Sequence, residues 1–288
     1  MNTADPRLRA ATLDDAEPCA RVAYAAFVDI AQRHQLPPDI PTQDLAIRLF
    51  SRWIAHPGFH VIVAELDGRL VGSVVIDERS SIAGLGPFTV DPERQHRSVG
   101  HRLTVGVAQR LADRAFQGAR LVQAPHNFMT LSLCIQAGFE VREPLVCLQG
   151  AALGLSLPGD RVRPATPDDL DACNRLCQRV QGHDRGGEVS EAIDSGRARL
   201  VERDNGISGY ATDIGFAGHA VGETNADLQA LIGSASRFSG QGFLLPTRNA
   251  ELFRWCLGRG LRIVQSLTLM SIGFYQEPRG VCLPSIGY

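Results

Sequence analysis

The sequence predicts an α/β protein made of two tandem domains of one plan, each a central mixed β-sheet flanked by helices. Three observations predict it. The 288 residues suffice for one large domain or two of ordinary size. The first half reads as β-α-α-β-β-β-α-β-α-β, an order that implies a mixed sheet with helices on its faces. That order then recurs. "LRAATLDDAEPCAR" (8–21) is echoed by "VRPATPDDLDACNR" (162–175), at an offset of 154 from Arg9 to Arg163. "NFMTLSLCIQAGFEV" (127–141) is echoed by "NAELFRWCLGRGLRI" (249–263), at an offset of 122 from Asn127 to Asn249. Between them, "AELDGRLVGSV" and "ERDNGISGYA" both read as hairpins with a tight glycine turn, and Gly72 meets Gly209 at offset 137. The shrinking offset means that the second copy is shorter both before and after its hairpin. The expected division is 1–150, a Gly/Pro-containing linker at 151–159, and 160–288.

The elements of the first half follow in order. Thr12, with an acidic residue three positions on, is a helix-start signal, and helices are expected over 13–33 and 43–55. "QLPPDIPT" breaks them. "FHVIVAEL" and "LVGSVVID" are apolar strands joined at Asp67-Gly68, and "GLGPFTV" is a third. From Val99, apolar residues at 99, 103, 107, 111 and 115 recur every four positions, a helical stripe that Gly118 is expected to end. "ARLVQA" returns as a strand, 128–137 is a helix capped by Gly138, and "FEVREPLVCLQ" is a strand.

Composition excludes several classes. Hydrophobic content of 44% with 21% charged residues fits a globular core. The formal net charge of -2 gives no electrostatic reason to expect nucleic acid or an anionic membrane as partner. No apolar run reaches the roughly 20 residues that span a bilayer. "MNTADPRLRA" has no apolar stretch of the secretory kind, so a cytoplasmic location is expected. The seven cysteines are odd in number and scattered. Only Cys173 and Cys177 lie close, at helical spacing and with no second ligand pair, so neither a disulfide framework nor a metal site is expected.

The stretch "VDPERQHRSVGHRL" leaves a strand and opens a helix. The first turn of a helix offers free backbone N–H groups and the positive end of its dipole, which suits a pyrophosphate. Arg94, His96, Arg97, His101 and Arg102 surround that turn and can meet further phosphate charge. Gln95-His96-Arg97-Ser98-Val99-Gly100 resembles the Q/R-x-x-G-x-G/A loop of the GNAT acyltransferase superfamily, with Ser98 in place of the first glycine. The preceding hairpin, and Asn127 to Gly138-Phe139 at the spacing of N-x-x-A-x-x-L-Y-x-x-x-G-F, resemble the same family. The likeness covers 8–150 well and 160–273 more faintly.

The resemblance implies an acetyl-CoA-dependent N-acetyltransferase. Acetyl-CoA would lie where two parallel strands splay, with Phe88, Thr89 and Val90 meeting the pantetheine arm, Gln95 to Arg102 cradling the phosphates, and Asn127 touching the arm or capping a helix. The family's usual glutamate and tyrosine are missing, since Gly84 and Cys134 stand at their positions. Asp77, Glu78 and His126 are therefore candidate bases, and Cys134 a candidate acid or a core thiol. Phe27, Asp29 and His34 are candidate acceptor contacts. No such loop stands in "GYATDIGFAGHAVGETNADLQALI", so the second half is expected not to bind CoA but to help close the acceptor site, with His219 and Glu223 as candidates to reach it. The expected acceptor is a small primary amine, attacked directly in a ternary complex. The alternatives are a non-catalytic acyl-CoA-binding protein, or a transferase for another acyl group or a protein amine. A monomer is favoured, because the tandem halves can satisfy each other's pairing.

Overall fold

The computed structural model describes residues 5–95, 98–156, 161–203 and 206–287. In the first half, β1 (Arg7–Ala10) leads through a 3-10 turn (Leu13–Asp15) into α1 (Ala16–His34) and α2 (Gln43–Ala55). The strands β2 (Phe59–Leu66), β3 (Arg69–Asp77) and β4 (Ile82–Val90) follow, then α3 (Val99–Asp113), β5 (Gly118–Gln123), α4 (Phe128–Gln136) and β6 (Glu140–Gln149). In the second half, β7 (Arg161–Pro164) precedes α5 (Leu170–Gln181), α6 (Gly186–Asp194), β8 (Arg199–Arg203), β9 (Gly206–Ala211) and β10 (Ala220–Gly222). The chain then forms α7 (Asn225–Ser234), β11 (Phe243–Pro246), α8 (Ala250–Gly258), β12 (Arg262–Gly273) and β13 (Val281–Leu283).

Two sheets result, one ordered β1-β2-β3-β4-β5-β12-β6-β11 and the other β13-β10-β9-β8-β7. Side chains alternate across each strand, so the first sheet has two cores. Val61, Val63 and Val75 pack against α1 and α2, whereas Ile62, Val74, Ala83, Leu85 and Leu121 pack against α3 and α4. The fold class is that expected, but one element ends early. The α3 helix stops at Asp113, and the left-handed turn is made by Ala115 at φ 52°. Gly118 instead opens β5, where a Cβ would lie 2.5 Å from the carbonyl oxygen of Ile272. A glycine that a sequence offers as a helix stop is here a close approach between strands.

The sheets do not divide where the linker was expected. β12, from beyond residue 160, inserts between β5 and β6 and pairs antiparallel with both, while β11 pairs with β6. The second half thus lends two strands, β11 and β12, to the sheet of the first, while the other sheet is built from second-half strands alone. The repeat is also visible in side-chain geometry. Arg9 donates to Asp15 (Nη1–Oδ2 2.6 Å) and to Glu65 (Nε–Oε1 2.8 Å). Arg163 does the same to Asp169 (2.7 Å) and Glu202 (2.9 Å). Thr12 and Thr166 each form a capping box with the aspartate of the set.

The first of these triads sets an acid limit. The hydrogen bond from Arg9 holds Asp15 at about 2, below the ordinary 3.8. A depressed carboxyl contributes stability above its unfolded pKa and loses it as pH falls through the folded value. Asp15→Asn is expected to cost about 1–2 kcal/mol at pH 7, allowing for the partial exposure of Arg9. Urea melts of both proteins should converge as pH drops from 4 to 2, and a gap that persists unchanged would sink this account.

Candidate donor and acceptor site

β4 and β5 run parallel, paired from Ile82 with Gly118 to Leu85 with Leu121, and there the pairing ends. Beyond it β4 stays with β3, through Phe88 with Val74, Thr89 with Ser73 and Val90 with Gly72. The backbone of Phe88, Thr89 and Val90 therefore has a sheet partner on one side and an opening on the other. A 3-10 turn (Pro92–Arg94), capped by Asp91, leads through Gln95 to the α3 N-terminus. Ser98 sits there at φ 58°, Val99 is buried, and Gly100 faces Leu133 of α4. His101 and Arg102 follow in the first turn, and the carbonyl of His101 accepts from Thr104 (2.7 Å). His96 and Arg97 lie outside the described residues. Asn127 caps α4, its Oδ1 accepting from the Thr130 amide at 3.1 Å. Donor candidates from three segments thus meet at one end of β4 and β5.

The candidate bases do not meet there together. Asp77 is held by Arg79 (Nε–Oδ1 2.8 Å), which also pairs with Glu191 of α6. Glu78 is gripped by Arg110 through both oxygens, at 2.7 and 2.8 Å. Both carboxylates are committed to ion pairs that join elements. Cys134 packs in the core beside α3, and burial pushes its thiol up to about 11. Cys256, its counterpart, is buried likewise and pushed to about 12. Asp77, Glu78 and Cys134, expected as catalytic candidates, are thus found in ion pairs and core packing.

His126 is placed differently. It borders a cleft of about 330 Å³ together with Leu36, Ile263, Val264, Gln265 and Ser266. Its ring lies 4.6 Å from that of His34. Desolvation, with a smaller contribution from His34, lowers its pKa below 6.5, while Asp39 pulls the other way. It is thus neutral at pH 7 and able to accept a proton. Asp39 is fixed by Gln241 (3.0 Å) and Gln265 (3.3 Å), both from the second half. The far wall, residues 263–266, is the irregular start of β12, where the register with β6 shifts between Ile263 and Gln265.

Other acceptor candidates fall elsewhere. Phe27 packs with α1 and α2, and Asp29 pairs with Arg33 one turn on. His219 is 1% exposed and bonded to Tyr210 (3.0 Å) and Glu188 (3.2 Å). Burial, aided by Arg185, lowers it to about 4, so it is a neutral core histidine that cannot reach a ligand. Glu223 forms an exposed pair with Arg179. None of these four lines the cleft beside His126.

The second half shows why it lacks a slot like that beside β4. Where β4 reaches α3 through residues 91–98, β10 reaches α7 through Glu223 and Thr224 alone. The β10 edge corresponding to the open side of β4 is covered by β13, paired from Ala220 with Leu283 to Gly222 with Val281. The chain then continues to Gly84 of β4, where a Cβ would lie 2.3 Å from the carbonyl oxygen of Gly287. No side chain fits at Gly84 while that backbone stays in place. Sequence reasoning missed this plug, along with Asp39 and the β12 wall, since each depends on contacts across more than a hundred residues.

Comparison with known proteins agrees with this geometry. Residues 25–139 match the acetyltransferase (GNAT) family. That stretch is similar to a GNAT acetyltransferase domain, and the mixed sheet with flanking helices is a fold shared with solved acetyltransferases. A proposed acetyltransferase of Pyrococcus horikoshii superposes with a TM-score of 0.73 over 98% of this chain and 95% of its own, at 17% identity. A GCN5-related N-acetyltransferase of Sphaerobacter thermophilus gives 0.59 over 94% and 96%, at 15% identity. A tandem GNAT protein of the clavulanic acid biosynthesis pathway gives 0.53 over 93% and 98%, at 13% identity. At such identities the likeness is one of fold. No curated protein sequence matches the chain. Among the described residues, no group of three His, Cys, Asp or Glu could hold a metal ion, and no helix is long and apolar enough to cross a membrane.

Proposed function

We propose that this protein transfers an acetyl group from acetyl-CoA to the primary amine of a small molecule with an apolar body. The parting of β4 and β5 beyond Leu85 and Leu121 carries the reading, because it frees Phe88 to Val90 for an extended arm and leads to a helix N-terminus suited to phosphates. Gln95 and Ser98 to Arg102 form the anion cradle. The cleft beside His126 takes the acceptor, and Leu36, Ile263 and Val264 supply its apolar lining. The neutral amine attacks the thioester carbonyl directly. A C–N bond forms, the C–S bond breaks, the proton of the nitrogen passes to His126, and the thiolate leaves to be protonated by solvent.

In this reading residues 1–150 bind the donor. Residues 160–288 are a diverged copy that binds none and supplies the β12 wall of the acceptor cleft. β11 and β12 complete the first sheet within one chain, a pairing that supports a monomer. The experiment is release of CoA thiol from acetyl-CoA with a panel of primary amines graded in apolar size. Saturable turnover that improves with apolar size supports the reading. Donor binding without turnover of any amine would favour a non-catalytic acyl-CoA-binding protein. Turnover only with peptides would move the acceptor to a protein amine.

A further inference from the structure

Gln123 is the last residue of β5, two positions past Leu121, where pairing with β4 stops. The two-residue period of a strand puts its side chain on the face of Ala119 and Leu121, toward α3 and α4. It is 7% exposed, and both Oε1 and Nε2 are buried with no hydrogen-bond partner among the described residues. A buried carboxamide with neither end satisfied is costly, and native folds rarely keep one without a use. The rest of the strand, "GARLV", packs chiefly through apolar side chains, so a leucine or valine at 123 would suit the core better.

From this orphaned amide at the mouth of the splayed strands, we infer that Gln123 reads a secondary amide of the donor's pantetheine arm, its Oε1 accepting from the amide N–H and its Nε2 donating to the amide carbonyl. The inference rests on the proposed use of acetyl-CoA. A carboxamide is the natural complement of a secondary amide, since each has one donor and one acceptor to offer. The facing wall of the gap, Phe88 to Val90, has only backbone to present on that side, so Gln123 supplies a side-chain check on the arm. It is a binding residue that no thioester chemistry requires.

The test compares the wild type with Gln123→Leu and with Gln123→Met, which keeps the length of the side chain. Each is titrated by calorimetry with acetyl-CoA and with adenosine 3′,5′-bisphosphate, which has the phosphates but no arm, and each is melted without ligand. Acetyl-CoA affinity should fall about tenfold in both variants, as for loss of a pair of neutral hydrogen bonds. Affinity for the bisphosphate should be unchanged, and the melting temperature should rise, because the unsatisfied group is gone. Stability up with donor affinity down is a combination that a merely structural glutamine does not give. Unchanged acetyl-CoA affinity in a folded variant, or equal losses for both ligands, would overturn the inference. Absence of acetyl-CoA binding to the wild type would instead remove the functional reading on which it rests.

Discussion

Gly100→Glu is expected to weaken acetyl-CoA binding severely while leaving the fold intact. Gly100 is the second residue of α3, after Ser98 at the cap and Val99. A Cβ there would approach only the Cδ2 of Leu133, at 3.2 Å, and Val90 at 4.0 Å; the first is the end of a flexible side chain. An acidic side chain in the first turn also interacts favourably with the helix dipole. Lost binding would therefore come from the new charge beside the phosphates, not from unfolding. Two like charges about 4–5 Å apart near a surface repel by about 2–4 kcal/mol, or roughly thirty- to a thousandfold in Kd. Ala226→Glu, at the equivalent turn of α7, should leave binding unchanged, because β13 covers the neighbouring edge. Calorimetric titration of the three proteins reads both outcomes. Binding that survives Gly100→Glu, or that Ala226→Glu removes, would place the donor somewhere other than the α3 turn.

The elements of the proposed donor side were legible because they are local. The strand, the loop and the helix stripe from Val99 are consecutive in the chain, and capping chemistry and four-residue periodicity report on consecutive residues. The repeat was legible for the same reason, since Arg9 with Asp15 and Arg163 with Asp169 are each six apart. Glu65 and Glu202, which complete the two triads, lie at the offset of the hairpins, so the drift in spacing recorded a real correspondence.

The proposed acceptor cleft was not legible, because distant segments build it. Asp39 is fixed by glutamines more than two hundred residues away, and its wall comes from a strand that crossed into the other half's sheet. Charged residues near strand ends also gave misleading signals. Asp77 and Glu78 have the chemistry of a base, but whether a carboxylate is free depends on whether an arginine reaches it. Arg79 is two residues along and Arg110 is a helix away. The sequence likewise does not show that Tyr210 and Glu188 satisfy His219 inside the core. Gly84 carried real information, since the missing side chain marks the passage of the Gly287 backbone.

His126→Gln should lower kcat by about a hundredfold to ten thousandfold, the usual range for losing a positioned general base, with acetyl-CoA affinity unchanged. Glutamine keeps much of the bulk and polarity of histidine but cannot take a proton at neutral pH. The pH profile supplies the sharper test. Desolvation and His34 lower the His126 pKa, so the wild-type rate should fall on the acid side along a limb centred below 6.5, where the imidazole becomes charged and can no longer accept a proton. Replacing its neighbours should move that limb in opposite directions. His34→Asn removes a like charge and should shift the limb up in pH, whereas Asp39→Asn removes an opposite charge and should shift it down. A limb unmoved by either change would show that another group titrates. A loss of only a few fold in His126→Gln would show that the amine reaches the thioester already deprotonated, with His126 no more than part of the cleft wall.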